Sequence, residues 1–232
     1  MRFTAEVCCN EPITPSVRRL TLIRPGHAEP FYAGQYLALV IDEVSYPFSI
    51  ANAPETNLLE LHIAATPNSA ESDRIEQYLN ADPATLNIEY PLGSCYLAAL
   101  PNKPVILIAA ATGITQMKSL LDWLTSASFT EQIYLYWGVR TPDDLYIDAV
   151  FKEQANLGAL HYVPVVSEPD AQWCGREGLV GEAVSQDLKQ LNDYQIFVSG
   201  SPAMVYGTLD HFISQGFDPA QMRSDVFDYA PR

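Results

Sequence analysis

The run Tyr46-Pro47-Phe48-Ser49-Ile50-Ala51-Asn52 follows Ala33-Gly34-Gln35-Tyr36-Leu37 and an apolar stretch ending at Ile41. It reads as the edge of a sheet shaped to hold a flat aromatic ligand. Proline has no backbone N–H and is confined to edge strands and strand starts, so Pro47 leaves the neighbouring amides and the Ser49 hydroxyl available to a ligand. Farther along, Ala110-Ala111-Thr112-Gly113 passes from an apolar strand directly into a helical pattern. Such a turn offers unpaired amides and the positive end of a helix dipole, and a dinucleotide phosphate suits that chemistry. In a third turn, Ser199-Gly200-Ser201-Pro202, the glycine admits close approach of a flat ring and the proline starts a helix.

Other chemistries lack their residues. His27, His62, His161 and His211 are scattered without ligand spacing, and no Gly-x-Ser-x-Gly elbow or Gly-x-x-x-x-Gly-Lys loop occurs. Hydrolase and kinase readings therefore fall away. The cysteines, Cys8, Cys9, Cys95 and Cys174, include no Cys-x-x-Cys pair, so neither a zinc site nor a plant-type iron–sulfur cluster is written here. Asp143, Asp144 and Asp148 read as favourable charge in the first turns of a helix.

The chain has 232 residues, 48% of them hydrophobic, enough for two cores. Thirteen basic side chains against 28 acidic ones give a formal charge of −15, which opposes binding to nucleic acid and to anionic membrane surfaces. The longest apolar run, Val105 to Ala111, is far short of the ~20 residues that cross a bilayer, and the first residues carry no signal-peptide core. A cytoplasmic location is expected.

The elements that must position these residues fall into two sets. In front, strands are expected at Phe3 to Cys9, Val17 to Leu22, Tyr36 to Ile41, Pro47 to Ile50, Leu58 to Ile63 and Leu86 to Tyr90, with a helix from Ser69 to Leu79. An antiparallel β-barrel over residues 1–100 is their natural closure, bounded by Leu100-Pro101-Asn102-Lys103-Pro104. Residues 101–232 alternate strands and helices: strands Val105 to Ala109, Ile133 to Trp137, Leu160 to Val166 and Gln195 to Val198; helices Ile114 to Thr125, Asp143 to Asn156, Val180 to Leu188 and Pro202 to Gln215; and a last short strand ending near Phe227. That order predicts an α/β Rossmann-like parallel sheet with its ligand at the carboxyl ends of the strands.

Together the motifs resemble the ferredoxin-NADP reductase superfamily, and within it the small NAD(P)H-flavin oxidoreductases. Phe48 and Ser49 match its flavin-binding motif, with Tyr46 where an arginine is expected. Thr112 and Gly113 match the end of a Gly-Gly-Thr-Gly turn, with Ala110 and Ala111 in place of glycines that tolerate positive φ more easily. Trp137-Gly138-Val139-Arg140, Trp173-Cys174-Gly175-Arg176-Glu177-Gly178, Pro91-Leu92-Gly93 and Ser224-Asp225-Val226-Phe227 extend the likeness, and Ser199-Gly200-Ser201-Pro202 matches a loop under the nicotinamide with Ser199 for a cysteine.

The resemblance implies hydride transfer from NADH or NADPH to a flavin, whether FMN, FAD or riboflavin. It gives Ser49 the catalytic position beside the flavin, with Tyr46, Pro47, Phe48, His62, Ile63, Ala64 and Phe227 around it. Thr112, Gly113, Arg140, Ser199, Gly200, Ser201 and Pro202 fall to the nucleotide, and Arg140 and Arg176 are the candidates for a 2′-phosphate. Without an arginine at position 46, a loosely held, exchanging flavin is expected. The alternative is a flavin- or nucleotide-binding regulatory or electron-transfer subunit that acts with a partner protein.

Overall fold

The computed structural model describes residues 1–158 and 160–232. It divides into two compact units, Met1–Ala98 with Lys118–Trp123, and Ala99–Met117 with Leu124–Arg232. The break falls between Ala98 and Ala99 rather than after Leu100, and one stretch of a later helix groups with the first unit.

The first unit is a six-stranded antiparallel sheet built from β1 (Arg2–Thr14), β2 (Val17–Ile23), β3 (Tyr36–Ile41), β4 (Val44–Ser49), β5 (Leu58–Ala64) and β6 (Thr85–Leu92). Their spatial order is β4-β3-β6-β1-β2-β5. The sheet curls so that its ends approach: the amide of Ala51, just past β4, donates to the carbonyl of Glu60 in β5 at 2.7 Å. Alternation explains the interior. Leu86, Ile88 and Tyr90 on β6, and Leu59, Leu61 and Ile63 on β5, all enter one apolar core. Helix α1 (Ala70–Asn80) is capped by Ser69, whose hydroxyl accepts from the Ser72 amide, and it adds Ile75 and Leu79 to that core.

Two features of this unit depart from the sequence expectation. β1 is much longer than Phe3 to Cys9, because a bulge between Val7 and Cys9 absorbs one residue and lets pairing with β2 continue to Thr14. β4 starts at Val44, three residues before Pro47, because Asp42 and Glu43 form a two-residue hairpin turn with φ of 50° and 63°. Both central residues at positive φ define a turn that suits strand twist but favours Asn-Gly, so Asp-Glu gave no recognisable signal.

The second unit is a parallel sheet of β7 (Val105–Ala110), β8 (Ile133–Val139), β9 (His161–Val166), β10 (Arg176–Glu177), β11 (Gln195–Ser199) and β12 (Met222–Arg223), ordered β10-β9-β8-β7-β11-β12. Ile106, Leu107 and Ile108 of β7 are all fully buried, as a strand covered on both faces requires. The connecting helices are α2 (Ile114–Ser126), α3 (Asp148–Asn156), α4 (Val180–Asp187) and α5 (Pro202–Ile213), with a final turn of helix α6 (Val226–Tyr229).

Here the expected helix from Asp143 to Asn156 is broken. Thr141 and Asp144 cap a single 3₁₀ turn, Pro142–Asp144, in which the Asp144 carboxylate accepts from both the Thr141 amide and hydroxyl; Leu145 then leaves helical geometry, and α3 starts at Asp148. The last strand is Met222–Arg223, so Phe227 lies on helix α6 rather than at a strand end.

Replacing Asp42-Glu43 by Asn-Gly puts residues that tolerate positive φ at both turn positions and removes only an exposed ion pair between Arg2 and Glu43. The barrel is expected to gain about 1 kcal/mol in denaturant unfolding. An unchanged or lower midpoint argues against this turn and the register it sets.

Candidate active site

At the barrel edge, the β3–β4 register places Ser49 opposite Tyr36, Phe48 opposite Leu37, Pro47 opposite Ala38 and Tyr46 opposite Leu39. Period two then divides the motif between two faces. Tyr46, 6% exposed, and Phe48, half-buried, pack with the barrel core; Pro47 and Ser49 lie on the opposite face. Because the ring of Tyr46 sits inside the barrel, it is not placed to stack on a ligand. The amide of Ile50 donates to Gln35, so alternation turns the Ser49 amide and the Pro47 carbonyl away from β3. The Ser49 hydroxyl has no hydrogen-bond partner among the described residues.

On β5, Ile63 is in the core, while Glu60, His62 and Ala64 alternate onto the other face. His62 is buried and its Nε2 bonds Glu60 Oε1 at 3.0 Å. Burial pushes the Glu60 carboxyl up, but the His62 hydrogen bond and the charge of Lys118 outweigh it and hold the group at about 2. Lys118, 3.7 Å from Glu60, also reaches Asp122 at 2.9 Å and the Ala51 carbonyl at 3.3 Å, while Ser119 donates to the Asn52 carbonyl at 2.7 Å. The Asn52 side chain ties the loop beyond β4, donating to the carbonyls of Ala53 and Leu58 and accepting from the Glu60 amide. Glu60, Lys118 and Asn52 were invisible as a group, since their positions in the chain share no spacing.

In the second unit the chain runs from β7 outward through β8 and β9, then crosses back to β11 on the other side of β7. The order reverses between β7 and β11, and ligands of open α/β sheets bind at the carboxyl ends beside such a reversal. The turns there are Ala110–Gly113 and Ser199–Pro202. They touch: a Cβ on Gly113 would lie 2.3 Å from the Ser199 carbonyl oxygen, and one on Gly200 would lie 3.1 Å from the Ala110 Cβ. Ala111 adopts φ of 48°, and its carbonyl accepts from the buried Trp137 indole at 2.9 Å. No side chain caps the 3₁₀ turn that opens at Ala111, so its first amides have no side-chain partner at the N-cap.

The other expected residues divide. Ser201 uses its hydroxyl to cap α5 by accepting from the Met204 amide, with Pro202 at the first helical position. Arg140 directly follows β8 and lies 3.6 Å from Glu168. Phe227 packs against the unit's own core, its ring 5.6 Å from that of Tyr206.

Residues 107–210 match the model of the oxidoreductase NAD-binding domain. The chain is 36% identical to an NAD(P)H-flavin reductase of Vibrio harveyi, over 82% of its own length and 84% of that protein. It is 35% identical to a "Probable flavin reductase" of Photobacterium leiognathi, covering 89% and 91%. The chain belongs to the flavin reductases. The fold agrees: a ferredoxin NADP+ reductase from Neisseria gonorrhoeae, solved with bound FAD and NADP, superposes with a TM-score of 0.81 at 17% identity over 96% of this chain and 97% of that one.

The residues present fit the two groups this family uses. A free hydroxyl beside outward-turned backbone polar groups suits the edge of a flavin ring, and an uncapped turn at the sheet reversal suits a nucleotide phosphate.

The Glu60 network predicts an acid-sensitive barrel. Its folded carboxyl titrates at about 2 against an ordinary value of 4.5, so its contribution is complete above about pH 4.5 and is lost as pH falls toward 2. Glu60→Gln is expected to cost about 2 kcal/mol at neutral pH and to flatten the decline in stability across that window. An acid unfolding profile identical to that of the parent chain would sink the network.

Proposed function

We propose that this chain is an NAD(P)H-dependent flavin reductase that uses its flavin as an exchanging substrate. The Ser49 hydroxyl carries the reading: it stands on the β4 edge with no partner among the described residues, so a bound ring is what would engage it. When both groups are bound, the nicotinamide and the isoalloxazine supply the hydride-transfer chemistry themselves, and the protein's work is placement.

With a flavin bound, the Ser49 hydroxyl would donate or accept one hydrogen bond at the flavin's reacting edge, and the Ser49 amide and the Pro47 carbonyl would help to hold the ring. Lys118 and Ser119 hold the Ala51 and Asn52 carbonyls, which keeps the strand exit beside Ser49 from shifting. The turn at Thr112 and Gly113 would hold the nucleotide's phosphate, and Gly200 would let the second turn lie against a flat ring. Tyr46 supports the exchanging role, because its buried ring gives β4 no cation for a flavin phosphate.

The purified protein is expected to be colourless and to oxidise NADH or NADPH only when riboflavin, FMN or FAD is added. Ser49→Ala should lower kcat/KM for flavin about tenfold or more while leaving the melting temperature unchanged, since no internal bond is lost. A yellow protein with no such turnover would favour an electron-transfer subunit instead.

A further inference from the structure

The nucleotide reading leaves open whether the ribose carries a 2′-phosphate, and the carboxyl ends of β8, β9 and β10 bear on it. In open α/β sheets with phosphates on the first turn, the adenosine ribose reaches the end of the next strand, where a carboxylate suits a 2′-hydroxyl and an uncommitted arginine suits a 2′-phosphate. Two cations stand at these ends, Arg140 and Arg176. Arg176 is committed: it pairs with Asp187, which also accepts from the Tyr136 hydroxyl at 3.2 Å, and it bonds Gln186 at 3.3 Å.

Arg140 is set beside Glu168 by the backbone. The ladder between β8 and β9 continues past both strands, with the Ser167 amide donating to Val139 at 3.0 Å and the Glu168 amide donating to Arg140 at 2.8 Å. The two side chains therefore leave the sheet as neighbours, and their charges cancel at 3.6 Å. Asp143, Asp144, Asp170 and Glu177 are exposed on the adjoining turns and strand, so the local balance is negative. A 2′-phosphate would bring about two further negative charges to this place.

We infer that this edge selects a nucleotide with a free 2′-hydroxyl, NADH rather than NADPH, and that Glu168 is the discriminating residue. It acts by repelling that phosphate directly and by competing with it for Arg140, 3.6 Å away. A 2′-hydroxyl meets neither penalty and can donate to the carboxylate. The inference rests on the nucleotide site proposed above.

The test is calorimetric titration of the whole chain with NAD+ and with NADP+ at low salt, alongside turnover of NADH and NADPH with riboflavin. NAD+ is expected to bind at least roughly tenfold more tightly than NADP+, with kcat/KM in the same order. Glu168→Gln should narrow both ratios several-fold, and Glu168→Lys should erase or reverse them. Both variants are at an exposed site, and circular dichroism checks that they fold. Equal or tighter NADP+ binding by the parent chain, or ratios unmoved in Glu168→Gln, overturns the inference and leaves the reductase reading standing. Absence of binding and turnover with either nucleotide overturns both.

Discussion

The close approach of Gly113 to the Ser199 carbonyl constrains the carboxyl end of the parallel sheet. β7 and β11 are neighbours in register, Ala109 beside Ser199, yet their chains leave in different directions into α2 and α5. The two exits must cross within van der Waals distance, and a side chain at 113 would intrude to 2.3 Å. The tight passage also forces Ala111 into the left-handed region at φ 48°, a conformation costing an alanine roughly 1 kcal/mol. The indole hydrogen bond from Trp137 offsets that cost. Trp137 itself is immobilised edge-on against Tyr146 and Phe151, so the turn's strain is held by the packing behind it.

The barrel edge depends on a different constraint, the phase of a two-residue period. The Asp42-Glu43 turn fixes β4 against β3, and a slip of one residue would carry Ser49 into the core and Phe48 out of it. Beyond the strand, Asn52, Lys118 and Ser119 take over, converting irregular backbone into a segment with named partners for its carbonyls. The β4 edge is thus placed by a turn at one end and clamped at the other.

Much of this could be read from the chain. The continuous apolar run of β7, the alternation in β6 and the Ser-Pro start of α5 each announce their element, because burial and capping leave local marks. The break before α3 was hidden, since Pro142-Asp143-Asp144 begins a 3₁₀ turn as readily as a long helix and only the Thr141–Asp144 bonds close it early. Nothing in the sequence marks the end of the last strand at Arg223, four residues before Phe227, because two residues of β12 are too few to show a period. The Glu60–His62–Lys118 group was out of reach for a deeper reason: its members meet through tertiary packing, and a histidine read alone gives no hint of the carboxylate it holds.

Tyr46 shows how one position can exchange one kind of work for another. The alternation of β4 directs residue 46 inward, opposite Leu39, and an arginine there would have to bend its charge out of an apolar core at a desolvation cost. A tyrosine instead leaves its ring among the core residues and adds to barrel packing what an arginine would have given to a phosphate. The remaining polar features of this edge are Ser49, its amide and the Pro47 carbonyl, none of which carries a positive charge. On the proposed reading these groups would meet only the ring common to riboflavin, FMN and FAD, and exchangeable binding would follow from the same alternation that fills the core.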